Sequence, residues 1–224
     1  MIFEFLYIIF IQPLELLMAC IYAQCFIQTN SHGISIVMLS LIVNLALLPS
    51  YLVSDKWMKI DQIKRNKLQK KLNEIKLAFR GQERFAMTQM LYKTNNYHPL
   101  KSLRTSLGIL IQLPFFIAAY QFILNNPSLV NIPFLFFEDL SKPDALINIG
   151  RWDINLMPLL MTLIGIISSY VFLLNQHTKD RFQIYSLPVI FLGILYFMPV
   201  GMVLYWTMSN LFSLTKNVIT LHRN

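Results

Sequence analysis

Apolar residues run along this chain in long blocks separated by short polar stretches. GISIVMLSLIVNLALLPSYLVS (33–54) is the first long block; others cover 104–124, INLMPLLMTLIGIISSYVFLL (154–174), about 182–198 and about 202–218. Blocks of about 17–22 residues match the length a helix needs to cross a hydrocarbon core roughly 30 Å thick. The pattern predicts an all-α, polytopic membrane protein with a five-span core. The last two spans meet at MPVG (198–201), where Pro199 and Gly201 suit a tight hairpin turn.

Two segments break the block pattern. Residues 2–28 are apolar but interrupted by Glu4, Pro13, Glu15 and Gln24. They read as a short apolar lead followed by an amphipathic helix over 14–28 lying in the membrane interface, with an extra span as the competing reading. Residues 1–32 thus form a lead and 33–224 the core. Between spans one and two, residues 56–99 have helical periodicity, with Ile60, Ile63, Lys67, Leu68, Leu72, Ile75 and Phe79 at steps of three and four. Gly81 interrupts that stripe. A second helix follows through Met87, Met90, Leu91 and Thr94 and stops at Asn95 and Asn96. The segment predicts an antiparallel helical hairpin. Residues 125–153 read as a polar loop, with Pro127, Pro133, Pro143 and four acidic residues.

Composition agrees with the blocks. The chain has 224 residues, 55% hydrophobic and 13% charged, with mean hydropathy +0.51, too few charges to coat a water-facing surface. The net charge of +8 is concentrated in one place. Residues 55–104 hold 13 basic and 4 acidic side chains, a balance of +9, which leaves −1 for the rest. Because basic loops favour the cytoplasm, this segment is expected inside, with Lys64, Arg65, Lys70, Lys71, Lys101 and Arg104 as its cytoplasmic cations. The loop 125–153 then lies outside, 175–181 inside, 198–201 outside and the C-terminus inside, which leaves the N-terminus outside. A bacterial cytoplasmic membrane is the expected location, since no Arg- and Ser-rich leader precedes the first block. Cys20 and Cys25 form no metal spacing and no disulfide framework. LMAC (17–20) superficially resembles a lipoprotein box, but the stretch before it lacks a basic region.

Polar residues inside the spans carry the functional signal. Asn44 and Asn210 fall at the midpoints of their spans, and Gln112 two residues from the middle of its own. Ser40, Thr162, Ser168 and Ser209 add hydroxyls, and Pro114 frees a backbone carbonyl one turn before it, near Leu110. Each polar group at that depth needs a partner or water. One reading is helix–helix glue, at about 0.6–2 kcal/mol per contact. The other, favoured by three amides at matching depth, is a hydrated pocket. There is no catalytic motif, no metal or cofactor signature and no acid within a span, so the chain does not read as an enzyme or a proton-coupled transporter. The basic hairpin lacks a stacking platform for specific nucleic-acid binding.

Several strings occur in a telling order: QPLELL (12–17), LIVNLALLP (41–49), MLYKTNNYHPL (90–100), LIQLPFFIAAY (110–120) and FMPVGMVLYWTMSNLFSL (197–214). With the helical hairpin between them, they resemble the YidC/Oxa/Alb family of membrane-protein insertases over nearly the whole chain. The resemblance implies a groove open to cytoplasm and lipid, through which segments of nascent membrane proteins pass. It places Asn44, Gln112 and Asn210 in that groove, with Pro114 letting its helix bend around it. Nascent membrane proteins are the implied partners, the ribosome and the Sec translocon further candidates, and a monomer in the bilayer the expected state. Two departures stand out. Asn44 matches the position of an arginine usual in the family, and the stretch from His98 to Gln112 is about three residues long for it. The neutral groove also allows an alternative, a specialised paralogue that assembles or holds one dedicated membrane partner. No large extracytoplasmic domain is expected, and a chain stopping at Asn224 is not expected to tether a ribosome by a tail.

Overall fold

The computed structural model describes residues 4, 7–95, 97, 107–149, 152–175 and 181–223. A π-helical turn over Tyr7–Ile11 leads into α1 (Gln12–Thr29). Pro13 lies in the first turn of α1, where its missing N–H costs nothing. Asn30, in the left-handed region with φ 54°, ends the helix by donating its amide to the Phe26 carbonyl. Met18, Tyr22 and Cys25 form the buried stripe of α1, while Leu16, Leu17 and Ile27 point outward. The outward face is thus apolar too. Tyr7–Thr29 is long and apolar enough to cross a membrane, as are His32–Asp61 and Leu156–Leu174, with shorter apolar helices at Ile111–Leu124 and Ile184–Leu195.

The next helix, α2, runs unbroken from His32 to Ala78. The change from apolar to basic sequence near residue 55 marks a change of surroundings and not the end of an element. Lys, Gln, Glu and Leu are all good helix formers, so nothing there stops the helix. It ends after Ala78, and Gly81, at φ +57°, opens α3 (Gly81–Thr94). The remaining helices are α4 (Leu107–Leu124), α5 (Leu156–Asn175), α6 (Arg181–Leu195) and α7 (Val200–Arg223).

The chain forms two compact units. Residues 47–112 make one of them. In it Ser54 and Leu68 are buried, Leu72, Ile75 and Phe79 half-buried on the same side as Leu68, and Ile63 and Lys67 exposed. The stripe read from the sequence therefore splits. Lys67 and Leu68 are adjacent, and a step of about 100° per residue turns them to different faces.

Residues 1–46 and 113–224 make the other unit. Its centre is the first half of α7, where every residue from Val200 to Thr207 is buried. A helix covered on all sides must be ringed by others. Trp206 stacks on Phe191 of α6 at 4.4 Å between ring centres, and meets Phe116 of α4 edge-on at 4.8 Å.

The loop between α4 and α5 is a folded cap. It starts with a 3-10 turn, Pro127–Leu129, whose Asn126 side chain accepts from the Ser128 amide. Phe134 and Phe137 then exchange amide–carbonyl bonds of 2.9 and 3.0 Å around a two-residue turn, with Leu135 at φ 54°. That conformation costs a branched residue about 1–2 kcal/mol. The Asp139 carboxylate latches the base of the turn. Its Oδ1 accepts from the Asn131 amide, the Ser141 amide and the Ser141 hydroxyl, and Oδ2 pairs with Lys142. Burial alone would push this carboxyl upward, but those hydrogen bonds outweigh it and hold its pKa down to about 2. Further on, β1 (Ile147–Ile149) pairs antiparallel with β2 (Trp152–Ile154), and Asp144 caps α5 by accepting from the Met157 amide at 2.6 Å.

The cap is bonded to the turn before α7. Val200 and Gly201 donate their amides to the Lys142 and Leu140 carbonyls at 2.9 Å each. These bonds satisfy donors at a helix start that would otherwise lack partners. The Asn155 side chain donates to the Tyr196 carbonyl and accepts from the Ala145 amide. Two glycines allow the approach. A Cβ at Gly33 would run into the Phe134 ring, and one at Gly201 would stand 3.2 Å from the Leu140 carbonyl.

Candidate functional site

Two polar seams run along α7. On the side facing α2, Asn44 donates its amide to Ser209 Oγ at 2.8 Å and to the Ser40 carbonyl one turn back at 2.8 Å. Ser40 in turn donates to the Tyr205 carbonyl at 2.8 Å and lies 3.1 Å from Ser209 Oγ. Asn44, Ser40 and Ser209 are all buried. Neighbouring Leu45, 61% exposed, points away from the seam.

The second seam faces α5. Asn210 reaches the Met161 carbonyl at 3.4 Å, and Gly165 nearby lets Pro188 of α6 approach, since a Cβ there would stand 3.1 Å from the proline ring. Farther along, Ser168 lies 3.5 Å from Ser213, and Asn217 donates to the Ser168 carbonyl and hydroxyl at 3.3 and 3.2 Å. Small and hydroxylated residues at such contacts let apolar helices approach closely and hydrogen-bond across. Thr162, on α5, turns back to the Pro158 carbonyl of its own helix.

The seven expected groove residues are therefore distributed. Asn44, Ser40 and Ser209 come together; Asn210 and Ser168 line the opposite seam of α7; Thr162 bonds within α5. Gln112 belongs to the 47–112 unit, where it is half-buried. In that unit an open cleft of about 290 Å³ is lined by Pro49, Ser50, Val53, Ser54, Trp57 and Ile111. Among the expected cations, Lys64, Lys70 and Lys71 are exposed on α2. The side chain of Arg65, and Lys101 and Arg104 altogether, lie outside the described residues. Of the structural residues, Pro114 lies within α4, while Pro199 and Gly201 start α7, Pro199 accepting from the Met202 amide at 2.9 Å. Asn217 escaped the sequence reading. Its signal was present: Asn210, Ser213 and Asn217 recur at steps of three and four on one helix face.

Apolar helices of membrane-crossing length, closed around buried amides and hydroxyls, define a polytopic α-helical membrane protein. The sequence profile of the family described as 60Kd inner membrane protein matches residues 24–224. The chain belongs to that family, whose members are inner membrane proteins, which places it in a bacterial cell membrane and agrees with the YidC/Oxa/Alb resemblance. It is 30% identical over 204 residues to the membrane protein insertase YidC of Leptospira interrogans serogroup Icterohaemorrhagiae serovar Lai (strain 56601), covering 86% of this chain and 31% of that protein. The corresponding protein of Janthinobacterium sp. (strain Marseille) is 30% identical over 197 residues, covering 84% and 33%. This chain thus spans about a third of the length of the curated relatives it matches. A crystal structure described as active YidC insertase with the first transmembrane domain resolved matches with a TM-score of 0.59. It is 24% identical and covers 93% of this chain and 46% of that one, a likeness of fold.

Proposed function

We propose that this protein is a membrane-protein insertase and chaperone, which passes segments of nascent membrane proteins into the bilayer through a hydrated intramembrane groove. The observation that carries the reading is the set of amides and hydroxyls kept inside an apolar bundle, with Asn44 only 3% exposed. The named function of the relatives supports it. Such a groove works without covalent chemistry. A polar segment entering hydrocarbon loses several kcal/mol for each unsatisfied backbone group. Side-chain amides and water at half depth replace part of that lost solvation and shorten the dry path. Asn44, Ser40 and Ser209 serve one side of α7, Asn210 and Ser168 the other, and Thr162 adds a buried hydroxyl on α5.

In this reading the basic half of α2 and all of α3 lie in the cytoplasm, where their cations offer a face to a ribosome or translocon. The N-terminus lies outside and the C-terminus inside. Charge alternation along the chain supports that orientation.

Single cysteines test the groove. In a background without Cys20 and Cys25, cysteines at Asn44, Gln112 and Asn210 should react with a small impermeant thiol reagent applied from the cytoplasmic side. Cysteines at Leu159 and Val203 should stay inert. Val203 is the sharper control, because at 1% exposed it is as buried as Asn44. Inertness at all three amide positions would reduce them to contacts between helices. In parallel, the chain should restore growth to a strain depleted of its own insertase.

A further inference from the structure

The cap between α4 and α5 turns its largest apolar side chains away from the protein. Leu135 and Phe136, at the tip of the two-residue turn, are 75% and 80% exposed, and Phe197 in the turn before α7 is 76% exposed. Isolated exposed apolar residues are ordinary on any protein surface. Three features set this tip apart.

It is held rigidly. The Phe134–Phe137 bonds, the Leu140 amide on the Ile132 carbonyl at 3.0 Å and the Asp139 latch fix the stalk beneath it. Its backbone also runs against the local preference, since Leu135 adopts the left-handed conformation for which glycine is the default in such turns. The bulky side chain is kept where the backbone alone favours none. Finally, its depth is set. Phe134 lies on Gly33 in the first turn of α2, and the Leu140 and Lys142 carbonyls cap the first turn of α7. The tip therefore stands level with the ends of the apolar helices, where hydrocarbon gives way to headgroups.

We propose that Leu135 and Phe136 form a wedge seated in the lipid leaflet at this end of the bundle, anchoring the cap to the bilayer. The occupant is lipid because the tip is seated, through Phe134 on Gly33, at the start of the apolar helix α2, beside the outward-facing apolar side chain of Ile34. Apolar and aromatic side chains at this level partition into the headgroup–acyl boundary. The inference needs only the membrane-spanning fold, so it stands apart from the insertase reading.

Depth-dependent quenching tests it on the full chain, lacking Cys20 and Cys25, in phosphatidylcholine–phosphatidylglycerol vesicles with no other protein. A fluorophore on Phe136→Cys should be quenched by lipids carrying a nitroxide high on the acyl chain, and quenched by iodide several-fold less than one on Glu138→Cys. Glu138 is exposed two residues away. Leu135→Cys should repeat the result from the neighbouring position. Equal iodide quenching at 136 and 138 with no lipid quenching would overturn the proposal. So would protection of 136 in native membranes that disappears in pure vesicles, because a partner protein would then be the occupant.

Discussion

Ser209 and Asn210 are neighbours in sequence that serve different helices, Ser209 bonding Asn44 of α2 and Asn210 reaching Met161 of α5. The turn of about 100° between consecutive residues accounts for it. The Asn44–Ser209 bond should be worth about 0.6–2 kcal/mol, the range for such contacts between apolar helices. Asn44→Ala and Ser209→Ala should each lower the unfolding midpoint in detergent, and the double variant should fall short of the sum. Strict additivity would mean that the two side chains do not support one another. The same geometry explains what could be read beforehand. Distance along a helix gives depth directly, so Asn44, Gln112 and Asn210 stood out as polar residues at mid-span. The direction each faces depends on which helix lies alongside, which spacing alone does not supply. Asn217 was overlooked because a polar residue close to a span end looks like an interfacial one.

At the scale of elements, each long apolar block contains a helix, and among the described residues His32–Asp61 and Leu156–Leu174 are the two of these long and apolar enough to cross a membrane. The end of the first span was not legible. A change from apolar to basic residues alters what surrounds a helix without ending it, and α2 stops only after Ala78, just ahead of Gly81 at φ +57°. The cap was read simply as a polar loop, since its order comes from bonds to residues some sixty positions away, as from Lys142 to Val200. Asp139 makes the cap sensitive to acid. Its carboxyl ordinarily titrates at 3.8 and is held at about 2 in the fold. A lowered pKa stabilises the folded form fully above the ordinary value, and the contribution drains away as pH falls from about 4 through about 2. Exchange of the Asn131 and Ser141 amides should therefore stay slow at pH 5 and quicken below pH 3. Asp139→Asn should exchange faster at pH 5 and lose most of that acid dependence. An unchanged profile in the variant would exclude Asp139 as the latch.

For the whole molecule, the distribution of charge makes a claim about sidedness. Residues 55–104 carry +9 against −1 for everything else, and this bias should hold the long basic extension of α2 in the cytoplasm. In intact cells, Glu138→Cys should be modified by an impermeant reagent added outside, while Lys76→Cys should be modified only after the membrane is opened. Both side chains are exposed, so the contrast reads sidedness and not burial. The reverse pattern would invert the topology and place the wedge in the cytoplasmic leaflet, without altering its contact with lipid.

The seam between α2 and α7 also imposes a schedule on synthesis. Ser40 and Asn44 reach the membrane early, yet their partners Tyr205 and Ser209 lie 165 residues further along. At ~5–20 residues per second, roughly 8–33 s pass before those partners leave the ribosome. Throughout that interval Ser40 lacks its Tyr205 acceptor and Asn44 its Ser209 acceptor. Until then the two bonds that fix α2 against α7 cannot form, so this seam closes only when the last helix has been made.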